Sequence, residues 1–193
     1  MPRAVLIYAH PYPDRSRANR VLLAAVRDLP DLEVRSLYDL YPDFAIDVDA
    51  EREALVRADA VVWQSPFYWY GMPSLLHLWI EKVLGHGWAY GAGGTAVRGK
   101  TALWVTTTGA PVSAYAPGEM HGHPFAAFEP AVSQTARFCG MHWAEPTFVV
   151  HGAHRLSDDE LGAAARQYRA RLERLLTSPA RAARPSIAEA SGA

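Results

Sequence analysis

Five short apolar runs, most of them handed on to a stretch with helical periodicity, restrict this chain more than any other feature. They are Ala4–Ala9 (AVLIYA), Leu32–Leu37 (LEVRSL), Ala60–Gln64 (AVVWQ), Thr101–Thr106 (TALWVT) and Pro146–Val150 (PTFVV). The first is nearly continuous, as a strand covered on both faces requires, and the second alternates. Between the runs, Ala18, Leu22, Ala25, Val26 and Leu29 form one helical stripe behind an N-cap at Ser16. Leu75, Leu76, Trp79, Ile80, Val83 and Leu84 form another, with Pro73 suited to its first turn. Shorter helices are expected over Ala50–Arg57 and Ala126–Phe138. The last helix opens on Ser157-Asp-Asp-Glu160, a capping box, and carries Leu161, Ala165, Tyr168, Leu172 and Leu175 on one stripe.

Strands alternating with helices predict an α/β fold in which a parallel sheet is covered on both faces, a three-layer sandwich. Crossovers of one hand leave few topologies. Five strands favour the flavodoxin-like order 2-1-3-4-5 over the six-stranded dinucleotide fold. One domain is expected over residues 1–177. The segment 178–193 (SPARAARPSIAEASGA) has no stripe and is expected to be a disordered tail. A net charge of -1 gives no basic field for nucleic acid, and no apolar stretch approaches the ~20 residues that span a bilayer. The N-terminus runs into Pro and charge before a signal-peptide core can form, so a cytoplasmic location is expected.

In such sheets ligands bind beyond the carboxyl ends of the strands. The loop after the first strand, HPYPDRSRAN, runs from His10 to Asn19 and feeds a helix. Ser16 and the N–H groups of Arg17, Ala18 and Asn19 therefore suit a phosphate, although Ser16 also serves as a plain cap. The loop after the third strand, Pro66–Pro73, sets Phe67, Tyr68, Trp69 and Tyr70 in succession. Four consecutive aromatics cannot all face one core; they suit a flat heteroaromatic ring or packing against another subunit. After the fourth strand come Thr107, Thr108 and Gly109, whose backbone can approach a ligand, and then Tyr115 and His121. Both rings can donate to an oxygen gaining negative charge, and His can supply a proton near neutral pH. Jointly the three loops predict a planar, phosphate-bearing cofactor with a reactive face.

Other signals carry less. Gly94–Thr101 (GTAVRGKT) matches the phosphate loop of nucleotide triphosphatases, a remote alternative. Here the motif leads into a strand instead of leaving one, so Lys100 reads as a solvated charge at a strand edge. His121 and His123 with Glu119 fall short of the four ligands of a closed zinc site, and no metal is expected. His77, His86, His142, His151 and His154 read as surface or core residues. The single cysteine, Cys139, reads as a buried small hydrophobe.

The segments YAHPYPDRSRAN, RSLYDLYPDF, PFYWYGMPSLLHLWIEKVLGHGWAYG, GGTAVRGK and TTTG with the Tyr115…His121 spacing resemble the flavodoxin-like NAD(P)H:quinone oxidoreductases. Within that family the likeness points to the ancillary flavoproteins of bacterial glutathione-gated potassium-efflux (Kef) systems. The resemblance implies FMN, or alternatively FAD, with its phosphate side at His10 and Ser16–Asn19. The isoalloxazine would lie between Phe67–Tyr70 and Thr107, Thr108, Gly109 and Ala110. It further implies NAD(P)H and quinone as substrates taken in ping-pong fashion, with Tyr115 and His121 stabilising charge during hydride transfer. A homodimer is implied. So is, as an alternative, a regulatory role on a potassium-efflux antiporter, which would place the protein at the inner face of the cell membrane. Two positions depart from the family pattern: Ala110 stands where Gly is common, and Tyr68 where Gln is common.

Overall fold

A computed structural model describes residues 3–177, so the expected tail lies outside the described residues. The chain runs β1 (Ala4–Tyr8), α1 (Arg17–Ala24), β2 (Leu32–Ser36), α2 (Leu37–Leu40), α3 (Val48–Arg57), β3 (Ala60–Pro66) and α4 (Ser74–Val83). It continues through β4 (Thr101–Thr107), α5 (Pro130–Phe138), β5 (His142–Trp143), β6 (Phe148–Val150) and α6 (Asp158–Thr177). The strands are parallel in the order β2-β1-β3-β4-β5, with β6 also paired to β4. This is the flavodoxin-like order expected from the strand count.

The strand runs are apolar throughout because both faces are covered. Val5 and Ile7 of β1 pack with Val61, Trp63, Ala102 and Trp104 against α3, α4 and α5. Leu6 and Tyr8 pack with Val62, Leu103 and Val105 against α1 and α6. Successive residues thus serve opposite cores, as the strand period of two demands. Each fully buried aliphatic side chain contributes about 1.5–3 kcal/mol. The capping box forms: the Ser157 N–H donates to Glu160 Oε2 at 2.8 Å, and the Glu160 N–H donates to Ser157 Oγ at 3.2 Å.

Three elements differ from expectation, and proline accounts for two of them. The fifth sheet position is filled by two short strands, β5 and β6, instead of one run over Pro146–Val150. Pro146 has no N–H to give the ladder, so pairing resumes only at Phe148. The helix expected from Ala126 is a 3-10 turn over Phe125–Phe128 followed by α5, which starts at Pro130, a residue suited to a first turn. Lys100 is not a solvated charge. Its ammonium donates to the Ala58 carbonyl at 2.5 Å and to that of Val56 at 3.5 Å, a cation at the C-terminal end of α3. Partial burial lowers its pKa.

One buried charge supports this architecture. Glu51 of α3 is fully buried, and its carboxylate accepts from Arg35 Nε at 2.7 Å, the Tyr41 hydroxyl at 2.6 Å and Trp79 Nε1 at 2.8 Å. The group ties β2, α3 and α4 together beneath the sheet.

Candidate functional site

Ser16 caps α1 as the sequence requires, its Oγ accepting from the Asn19 N–H at 3.2 Å. The N–H groups of Arg17 and Ala18, in the first turn, have no intrahelical acceptor and are open to an anion. The Arg17 guanidinium is engaged elsewhere, donating to the Leu156 carbonyl at 2.6 Å and to Asp158 at 2.5 Å. Arg17 therefore offers its backbone, while its side chain pins α1 to the start of α6. His10 Nδ1 accepts from the Tyr12 N–H at 3.1 Å, which leaves the proton of the neutral ring on Nε2. Burial lowers the His10 pKa and favours that neutral form.

These groups face one cleft at the carboxyl edge of the sheet. His10, Ser16, Arg17 and Ala18 form one wall; Pro66, Phe67 and Tyr68 a second; Thr107, Thr108 and Gly109 a third. Thr107 is the last residue of β4. The site is held from behind by buried polar contacts. Asn19 Nδ2 donates to Thr107 Oγ1 at 2.8 Å, Gln64 Nε2 to the Asn19 carbonyl at 3.2 Å, and the Tyr168 hydroxyl to Gln64 Oε1 at 3.0 Å. This chain links α1, β3, β4 and α6, so the walls cannot shift independently.

Trp69 and Tyr70 stand outside the cleft lining, on a tight turn. The Tyr68 N–H donates to the Gly71 carbonyl at 3.1 Å and the Gly71 N–H to that of Tyr68 at 3.0 Å. The two central residues have φ of +50° and +63°, the geometry of a type I′ turn, which normally carries Asn-Gly. Trp69 is 95% exposed. Ala110 is not among the residues with positive φ, so the alanine there meets no backbone obstacle.

Tyr115 and His121 do come together. Their rings stack at 4.3 Å between centroids and 20° between planes, packed among Phe67, Tyr70, Phe125 and Phe128. They lie beside the cleft and not in its lining. Both His121 ring nitrogens are buried without a hydrogen-bond partner. Burial raises the Tyr115 pKa despite a hydrogen bond with Thr108, so its phenol stays protonated at neutral pH.

Sequence reasoning missed Tyr12, Arg15 and Pro66 of the cleft lining, and three residues after β6. Ala153 and His154, from the loop after β6, line the cleft, and a Cβ on Gly109 would meet His154 Cδ2 at 3.2 Å. His151 Nδ1 lies 3.1 Å from Thr108 Oγ1, and its ring is 5.2 Å from Tyr115. The signal was present, since HGAH directly follows the final strand run and reaches the same sheet edge. Among the described residues, no cluster of three His, Cys, Asp or Glu residues could hold a metal, and no helix is long and apolar enough to cross a membrane. Cys139 is buried, and burial pushes its thiol up to about 11.

A parallel sheet of order 2-1-3-4-5 with a cleft across the ends of β1, β3 and β4 defines a class. The chain belongs to the family described as flavodoxin-like fold, whose model matches residues 2–172. It is similar to the glutathione-regulated potassium-efflux system ancillary protein KefF of Salmonella typhi, 51% identical over 168 residues, 87% of this chain and 94% of that protein. Two solved structures are similar as well. General stress protein 14 of Treponema denticola, in complex with FMN, has a TM-score of 0.83 and 35% identity, over 90% of this chain and 99% of that one. A structure described as a thermophilic tryptophan halogenase from Streptomycin violaceusniger has a TM-score of 0.84 and 36% identity, over 91% and 99%. At 23% identity and below, the likeness extends to quinone reductases and shows the fold alone.

Proposed function

We propose that the chain is a flavin-dependent NAD(P)H:quinone oxidoreductase that holds FMN non-covalently. The observation that carries this reading is the convergence of three loops on one cleft, with free helix N–H groups at one end and aromatic side chains at the other. The residues fit such a group. Arg17 and Ala18 N–H groups with Ser16 suit a phosphate, and Gly109 leaves room where a side chain would press on His154. The concavity holds about 180 Å³, less than the roughly 300–1,000 Å³ of an ordinary ligand pocket. It therefore suits the phosphate and sugar, with the ring lying toward Phe67–Tyr70 and Thr107–Ala110. The complex of the 35%-identical relative with FMN supports FMN over FAD.

Bound flavin supplies two-electron chemistry: NAD(P)H gives a hydride and leaves as NAD(P)⁺, and a quinone takes the two electrons with two protons to become a quinol. The protein orients the partners and manages charge. Tyr115, protonated at neutral pH, donates to an oxygen gaining negative charge. His121, with two ring nitrogens lacking partners, is free to share that oxygen or pass a proton to it. One site serving both substrates gives ping-pong kinetics, and the chain acts as a homodimer.

The test is the visible spectrum of purified protein before and after anaerobic NADPH, with the released flavin identified by chromatography. A yellow protein that bleaches and then reduces quinone is expected. A colourless protein that refuses added flavin refutes the reading. Replacing both Tyr115→Phe and His121→Ala lowers turnover while the protein stays yellow; quinone turnover at the parental rate removes the roles given to them.

The 51%-identical KefF supports a second role: a subunit docked on a potassium-efflux antiporter at the inner membrane face. Co-purification with an antiporter tests it, and both roles are compatible.

A further inference from the structure

A second concavity lies on the other side of the Pro13–Arg15 turn, between α1 and the edge strand β2. It holds about 460 Å³, within the range of small-molecule sites. Its construction follows from periodicity. Arg20, Leu23 and Arg27 share one face of α1 and its continuation, and Leu32, Val34 and Ser36 share one face of β2. β2 is an edge strand with only intermediate burial, so the groove stays open.

Tyr8 lies at the bottom of the groove. It is 3% exposed, and its hydroxyl is buried with no hydrogen-bond partner. A buried hydroxyl left unpaired is costly, and unlike the unpaired indoles of Trp63 and Trp104 this one belongs to a residue that lines a groove. Asp39 and Arg20 both act on it electrostatically, so the phenol sits within reach of one charge of each sign. Arg20 is exposed and held by a 3.3 Å contact to the Asp14 carbonyl.

The charges narrow the ligand. Arg20 and Arg27 face Asp14 and Asp39 across the same groove. A bare anion is repelled by the carboxylates about as strongly as the guanidinium groups attract it. A molecule with both an anionic group and hydroxyl donors satisfies all of them. Asp39, just past β2, accepts from Ser36 Oγ at 2.5 Å and keeps lone pairs for the hydroxyl donors of a sugar. Arginine pairs well with phosphate. Leu23, Leu32 and Val34 offer an apolar strip for a base. We infer that this groove is a second small-molecule site, one for a nucleoside monophosphate, with the ribose at Asp39 and Tyr8 and the phosphate at Arg20 and Arg27.

The probes are 5′-AMP, ribose 5-phosphate and inorganic phosphate, titrated calorimetrically into the full chain already saturated with FMN. The first cleft then does not compete, and a chain that takes no FMN is titrated as it stands, so failure here is distinct from failure of the flavin reading. AMP is expected to bind, ribose 5-phosphate more weakly, and phosphate least. Tyr8→Phe is expected to weaken AMP about fivefold to tenfold, the effect of one lost hydrogen bond. Because it removes an unpaired buried hydroxyl, the same change leaves the free protein's Tm unchanged or higher, which a structural tyrosine would not do. Asp39→Asn and Arg27→Gln weaken AMP by similar factors. The inference is overturned if AMP does not bind, if phosphate binds as well as AMP, or if the three variants bind AMP like the parent.

Discussion

The turn at Trp69 and Tyr70 lets the stability and function of the site be separated in one experiment. An L-residue held in the left-handed region costs about 1–2 kcal/mol, and this turn holds two in succession. Such strain persists where the surroundings over-determine it, which is common at ligand sites. Trp69 is 95% exposed, so its side chain returns almost no burial in compensation. Trp69→Gly removes the steric cost but adds the unfolded-state entropy of glycine, about 0.5–1 kcal/mol. The difference is a net stabilisation of about 0.5–1 kcal/mol. For a chain of this size each kcal/mol shifts Tm by roughly 2–4 °C, so the variant melts about 1–4 °C above the parent. Trp69→Ala keeps the strained backbone while removing the ring, and leaves Tm unchanged. Under the proposed flavin site the indole reaches the ring from beside the cleft, and flavin affinity, measured by fluorescence quenching on titration, then falls severalfold in both variants. A Trp69→Gly protein that melts below the parent would show that the indole has stabilising contacts. Unchanged flavin affinity would remove the turn from the site.

Three further outcomes are expected. Glu51→Leu leaves the Arg35, Tyr41 and Trp79 donors without their acceptor and destabilises the fold by about 3–5 kcal/mol, read from denaturant midpoints. Gly109→Ala presses a Cβ to 3.2 Å from His154 Cδ2 and weakens FMN severalfold at nearly constant Tm; parental affinity would show that no close approach is needed there. The third concerns pH. Burial lowers the pKa of both His10 and His151, so between the folded pKa and the ordinary value near 6.5 the unfolded chain binds more protons. Stability therefore falls as pH drops below about 6.5, and His10→Gln with His151→Gln flattens that slope in urea melts taken from pH 7.5 to 5.

Much of the fold was legible because each strand run serves two cores at once, and AVLIYA has no polar position to mislead. What failed to read locally was governed by pairing or by distant partners. Pro146 splits the last strand position, and only the ladder to β4 reveals the short piece His142–Trp143. Lys100 looks solvated in GTAVRGKT because its acceptors, the carbonyls of Val56 and Ala58, are more than forty residues away. Ser16 and Gly109 were legible as residues of this sheet edge, where they line the cleft, since capping and close approach are local properties. His151 and His154 were not, because their relevance comes from β6 lying next to β4.

The same reasoning separates what each strand end contributes. The network from Tyr168 through Gln64 and Asn19 to Thr107 uses buried polar side chains, each satisfied by the next. None of them needs to touch a ligand; they fix the spacing between the helix N–H groups and the end of β4. The polar atoms without partners lie elsewhere, at His121 and Tyr8 among others. Ser65, Thr106, Trp63 and Trp104 in the sheet are unpartnered as well, so an orphaned atom alone does not mark a site; its place at a concavity does. The satisfied groups hold the cleft in shape, and of the unsatisfied ones only those beside the cleft or lining a groove, His121 and Tyr8, are placed for the roles proposed above.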